Sequence, residues 1–226
     1  MTDAATLRAL DRSAVWHPFT PHGVYAAEHP LMIVAAEGHW LVDADGTRYL
    51  DGVASLWCNL FGHRVPAIDA AITAQLGRFA HATFLGNATA PAVELAARLV
   101  AIAPDGLTRV FYSDNGSTAV EVAMKMAYQY WQQTGRADDA KRTRFAALGD
   151  AYHGDTVGAV SVGGIDLFHQ VYRPLLFPTV RLPNPYCYRC PLGLERASCD
   201  IACADRAEAL IAEHGDELAA VIIEPG

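Results

Sequence analysis

The chain has 226 residues, 52% of them apolar, 19% charged and 9% aromatic, enough to bury a sizeable core and unlike a disordered polymer. A formal net charge of −8 and the lack of any basic run argue against nucleic acid or an anionic membrane surface as a main partner. No apolar run reaches the ~18 residues that span a bilayer. Residues 1–12 lack a basic start followed by an apolar stretch, so no secretory signal is expected and the expected location is the cytoplasm.

Residues 1–15 read as a short amphipathic helix. The region 31–52 reads as a β-hairpin, with arms at 31–42 and 47–50 around an Asp43-Ala44-Asp45-Gly46 turn. Pro66 suits the first turn of a helix over 66–77. Thr89 is placed to cap the next helix, which carries Pro91 early and runs to about 100. Strands and helices then alternate: strand 108–113, helix 117–134, strand 143–148, and a helix from about 154. A Pro- and Cys-rich loop is expected over 173–200, then a helix at 203–214 and a strand at 220–223. This alternation predicts an α/β fold, a mostly parallel sheet with helices on both faces.

Two turns carry candidate chemistry. In Val110-Phe111-Tyr112-Ser113-Asp114-Asn115-Gly116-Ser117-Thr118 an apolar run passes through a polar turn into a long helix. Ala119, Val122, Ala123, Met126, Ala127 and Tyr130 fall at helical spacing and are expected to give that helix a buried face. Free N–H groups and the positive end of the helix dipole suit a phosphate there. Gly116 would allow close approach, and Ser117 and Thr118 carry hydroxyl donors. An ordinary capped helix, with Ser113, Asp114 or Asn115 as the cap, explains the same residues equally well. In Ala151-Tyr152-His153-Gly154-Asp155-Thr156 the Tyr or His could stack on a flat ring with Gly154 letting it sit close; a buried tyrosine in a tight turn is the plainer reading.

Taken together, these segments resemble the class III aminotransferases, and within them the branch that aminates 8-amino-7-oxononanoate to 7,8-diaminononanoate in biotin synthesis. The residues that carry the resemblance begin with Trp16-His17-Pro18-Phe19-Thr20 and the run from Leu50 to Trp57. Those from Ser113 to Ala127 and Tyr152-His153-Gly154-Asp155-Thr156 complete it. It extends from near Trp16 to the last residue, and 113–127 is its most specific part. The resemblance implies pyridoxal 5′-phosphate (PLP) as cofactor and the PLP-dependent transferase fold type I, with a small N-terminal α+β segment. It implies a small-domain segment at 1–65 and the first part of the large PLP-binding domain at 66–226. It also implies a homodimer acting on small molecules.

The same resemblance implies the site residues. Gly116 and Ser117 would hold the phosphate, and Tyr152 would lie against the pyridine ring and reach substrate. Glu224, in a Glu-Pro pair, would stand near the cofactor, although a solvated strand end explains it equally well. Trp57 would offer an apolar wall to a long aliphatic chain. Phe19 stands where some relatives carry Tyr, which removes a hydroxyl beside the substrate and leaves the amino donor open between S-adenosylmethionine and lysine. Leu56 precedes Trp57 where some relatives carry a second Trp.

The resemblance places the family's catalytic Lys and its pyridine-binding Asp beyond Gly226, so no catalytic residue is expected in this chain, which reads as the truncated N-terminal half of an enzyme. Its lysines are Lys125 and Lys141, neither suited to a desolvated place over a cofactor. Alone, 1–226 is expected to fold poorly and to be inactive. Cys187, Cys190, Cys199 and Cys203 form a C-x2-C-x8-C-x3-C cluster that would suit zinc in another context. A reduced, packed cluster without metal is the favoured reading. Two alternatives stay open: a class III enzyme for another ω-amino substrate, and a zinc-stabilised module without catalysis.

Overall fold

The computed structural model describes residues 2–28 and 30–225. By internal contacts the chain divides into two compact units, Met1–Ala97 and Arg98–Gly226.

In the first unit α1 spans Ala4–Ala14, its start fixed by Asp3, whose carboxylate accepts from the Thr6 N–H at 3.0 Å and the Thr6 hydroxyl at 2.7 Å. The one-turn α2 comes next at His22–Tyr25. The expected hairpin is a three-stranded antiparallel meander: β1 Ile33–Glu37, β2 Trp40–Asp43 and β3 Arg48–Leu50, in the order β1-β2-β3. The first arm does not run on to 42, because Glu37 pairs with Trp40 around Gly38-His39. Gly38 takes φ 56, a conformation that glycine adopts freely, so it reverses the chain. Asp43 organises the second reversal by accepting from the N–H groups of Asp45 and Thr47 and from the Tyr49 hydroxyl. The short α3 covers Ala54–Trp57 and α4 Pro66–Leu76, and α5 Ala90–Ile102 begins in this unit and ends in the second.

The second unit is built on a parallel sheet. β4 Arg144–Leu148 lies between β5 Val180–Leu182 and β6 Leu218–Ile222. Around it stand α6 Gly116–Gln133, α7 Val157–Val162, α8 Asp166–His169 and α9 Ala202–His214. Period-two alternation along β4 sends its side chains to two cores. Phe145 and Ala147 pack with Met124 of α6, Val162 of α7 and Ala219. Ala146 faces the other way, with Val180, Leu182 and Leu218, against Ala207, Leu210 and Ile211 of α9. Helices therefore cover both faces, as the alternation predicts. The Trp131 indole also donates to the Ala219 carbonyl at 2.7 Å, which ties α6 to β6.

Two expectations need correction. Residues 108–113 form no strand; the segment finds no ladder partner among the described residues, and an apolar run without a partner is not a strand. The expected loop over 173–200 contains β5, where Val180 and Leu182 alternate with Arg181 and pair with Ala146 and Leu148. No helix is long and apolar enough to cross a membrane among the described residues.

Candidate active site

The start of α6 sets the site. Asn115 caps the helix, its side-chain oxygen accepting from the Thr118 N–H at 2.9 Å. The Thr118 hydroxyl donates to Asp114 at 2.8 Å and also lies against the Ser113 hydroxyl. These bonds hold the Asp114 carboxyl below the usual range, the Thr118 hydroxyl contributing most. The cap uses the Thr118 N–H and leaves those of Gly116 and Ser117 without an acceptor inside the helix, as at any helix start. A Cβ built on Gly116 would meet nothing within 4 Å, so open space lies over this turn. The two readings of the segment are thus compatible: Asn115 caps, while Gly116 and Ser117 stay free to bind.

The loop after β4 closes on that turn. The Asp155 N–H donates to Ser117 Oγ at 3.2 Å, which leaves the Ser117 hydroxyl proton for another acceptor. Gly154 takes φ 119, and a Cβ there would overlap Ser117 Oγ and come within 2.8 Å of Ser117 Cα. Only glycine permits this approach. One turn on, the Gly158 N–H donates to Glu121 at 2.9 Å, so a carboxylate from α6 anchors the start of α7.

Tyr152 is fixed at both ends. Its N–H donates to Glu224 Oε2 at 2.8 Å, and its hydroxyl donates to Asp155 Oδ2 at 2.7 Å. The bond to Asp155 pushes the phenol above its ordinary pKa, so it stays protonated at neutral pH. The side chain is not the buried tyrosine of the plainer reading: Tyr152 is 42% exposed. His153 beside it is half-buried; burial lowers its pKa and Arg181 adds to that, against the pull of Glu224. Gly116, Ser117, Tyr152 and Glu224 therefore lie in one cluster, linked through Gly154 and Asp155. The role of Asp155 was missed from sequence, although an Asp three residues after Tyr in a turn was a usable signal.

Phe19 and Trp57 belong to the first unit. Phe19 is exposed and takes φ 49. Trp57 ends α3, which has α-type hydrogen bonds but the wrong hand: Ala54, Ser55, Leu56 and Trp57 take φ of 50, 49, 63 and 69. Each such residue costs roughly 1–2 kcal/mol relative to the right-handed form. Leu56→Gly is therefore expected to be neutral or to stabilise by up to about 1 kcal/mol, since glycine removes the strain but adds unfolded-state entropy. A denaturant melt measures it, and a loss above about 1 kcal/mol would contradict the strain.

Both lysines lie elsewhere. Lys125 is exposed beside Met124, Tyr128 and Phe145, and Lys141 pairs with Asp138 at 3.0 Å. All five cysteines are free thiols, and Cys187, Cys190, Cys199 and Cys203 line one cavity of about 20 Å³. Among the described residues, no group of three or more His, Cys, Asp or Glu is placed to hold a metal ion.

Comparison with known proteins extends this picture. The family model for class III aminotransferases matches residues 24–226. The adenosylmethionine-8-amino-7-oxononanoate aminotransferase of Nitratidesulfovibrio vulgaris is 57% identical over 98% of this chain and 41% of its own length. That of Geobacter sulfurreducens is 52% identical over 99% of this chain and 49% of its own. Among solved structures, the same-named aminotransferase from Methanocaldococcus jannaschii superposes with TM-score 0.86 at 42% identity, covering 97% of this chain and 46% of that one. An (S)-enantioselective ω-transaminase from Thermomicrobium roseum gives 0.87 at 34%, covering 98% and 49%. The chain thus spans about half the length of the relatives it matches, and over that half it has the fold type I architecture of the transaminases.

Proposed function

The chain belongs to the class III aminotransferases, and from that premise we propose that it supplies the N-terminal half of an enzyme converting 8-amino-7-oxononanoate to 7,8-diaminononanoate in biotin synthesis. The observation that carries this reading is the cluster of Gly116, Ser117, Gly154, Tyr152 and Glu224, in a chain whose relatives bear that activity's name. PLP fits the cluster: open space over a helix start, two uncommitted N–H groups and a hydroxyl match a phosphate, and an exposed phenol ring matches a pyridine. PLP, when bound, supplies the electron sink that transamination needs.

The chain's own residues bind and orient. The N–H groups of Gly116 and Ser117 and the Ser117 hydroxyl hold the phosphate at the positive end of α6. Gly154 lets the loop after β4 close on Ser117, while Glu224 and Asp155 fix Tyr152 so that its ring offers one face to the cofactor. Fixed orientation raises rate by proximity. Trp57 and Phe19 are assigned to the acceptor's aliphatic chain, and Tyr152 to the cofactor ring and the substrate. The base that moves the proton is assigned to the other half, because Lys125 and Lys141 lie away from the cluster. Residues 1–65 are assigned to the small domain and 66–226 to the large one, within a cytoplasmic homodimer.

The test is an amine-donor screen on the protein that carries both halves. Turnover of 8-amino-7-oxononanoate with S-adenosylmethionine or lysine is the expected result. Turnover only of other ω-amines would favour the second reading, which the likeness to the Thermomicrobium roseum ω-transaminase supports.

A further inference from the structure

Any role of α3 in substrate binding rests on the proposed place of Trp57 in the acceptor pocket. Within these 226 residues Trp57 is 80% exposed and Leu56 65%, so the hold that this part of the chain supplies on the left-handed α3 is not burial of large apolar groups. The hold is polar. Asp51 Oδ1 accepts from the Ser55 N–H at 2.7 Å, and Asp51 Oδ2 accepts from the Ser55 hydroxyl at 2.8 Å. The same Oδ2 lies 2.8 Å from His63 Nε2, which donates to it. Only 4% of the Asp51 side chain is exposed, so the carboxylate that gathers these bonds is itself sheltered, while Ser55 is exposed.

The latch is itself anchored. The Asp51 N–H donates to the His39 carbonyl at 2.8 Å. His63 exchanges backbone bonds with Gly38 at 2.7 and 3.1 Å, and the Asn59 amide lies 3.4 Å from its Nδ1. Gly62 makes this approach possible: it takes φ 85, and a Cβ there would come within 2.7 Å of the Gly38 carbonyl oxygen. Asp51 and His63 thus tie the strained turn to the β1–β2 reversal. A backbone that is unfavourable in four successive residues persists only where its surroundings impose it, and such strain concentrates at functional sites.

We infer that Asp51 and His63 are positioning residues for the amino acceptor, holding the left-handed turn that aims the Trp57 indole at the aliphatic chain of the substrate. They touch neither cofactor nor reacting atoms in this role, so they set acceptor binding and leave the chemical step alone.

The test uses the protein that carries both halves. Asp51→Ala should raise KM for 8-amino-7-oxononanoate about tenfold, with kcat within about twofold and PLP affinity unchanged, the pattern of lost uniform binding. His63→Gln keeps an N–H donor and should hold KM near wild type, whereas His63→Ala should raise it. Added to Trp57→Ala, Asp51→Ala should raise KM no further. If Asp51→Ala fails to fold, Asp51→Asn and the two His63 variants decide, with Asn expected between wild type and Ala. Amide exchange at Ser55 reports the latch without substrate, and loss of the Asp51 carboxylate should speed it at least about tenfold.

An unchanged KM in Trp57→Ala overturns the pocket reading and the positioning role with it, while faster Ser55 exchange still establishes the latch. Independent KM rises in the double variant, equal effects of His63→Gln and His63→Ala, or unchanged Ser55 exchange overturn the inference while Trp57 keeps its place.

Discussion

Gly116→Val, in the protein carrying both halves, is expected to weaken PLP binding by about ten- to a hundredfold, or roughly 1.4–2.8 kcal/mol, with little loss of fold stability. The separation comes from geometry. A Cβ on Gly116 meets nothing within 4 Å, and the residue does not sit at positive φ, so the added Cβ is accommodated. The branched side chain is expected to crowd the phosphate proposed to lie at the start of α6. Gly154→Ala is the contrasting variant. There φ is 119 and the new Cβ would press on Ser117, so both stability and cofactor affinity should fall. Absorbance titration with PLP, alongside denaturant melts, reads both quantities. Wild-type PLP affinity in Gly116→Val would show that the phosphate lies elsewhere.

The parts of the fold legible in sequence were those specified locally. α6 announces itself through Asn115 at its start and helical apolar spacing, but the face packed on the sheet is Val120, Met124, Ala127 and Trp131; of the expected face only Ala127 joins it, while Ala119, Ala123, Met126 and Tyr130 are exposed. The Pro66 start of α4 and the apolar run of β4 are of the same kind. What failed depended on partners. Residues 108–113 have the composition of a strand, but a strand exists only by pairing, and composition names no partner. β5 has three residues, between Pro178 and Pro183, and is a strand because β4 lies beside it. In the site, Gly116, Ser117, Tyr152 and Glu224 were nameable from motifs and resemblance. The closure of Gly154 on Ser117 was not, because it links residues far apart in sequence. The left-handed α3 was least legible of all. Ala, Ser, Leu and Trp all disfavour positive φ, so local propensity points the wrong way and only the Asp51 latch reveals the turn.

Trp57→Ala carries the other large expected effect. The indole stands 80% exposed at the end of a strained turn, and such strain concentrates at functional sites. Removing a large aromatic contact from an aliphatic substrate is worth on the order of 1–3 kcal/mol, so kcat/KM for 8-amino-7-oxononanoate should fall roughly ten- to hundredfold or more. PLP affinity should not change, since the phosphate is assigned to Gly116 and Ser117. The size of the loss should track acceptor length. A short oxo acid makes little contact with an apolar wall and should lose little, so the wild-type preference for the long acceptor should shrink in the variant. Steady-state kinetics on the long acceptor and a short oxo acid, in wild type and Trp57→Ala, measure this directly. Equal losses on both would indicate that Trp57 supports the chemical step or the fold, and unchanged kinetics on both would remove it from the pocket.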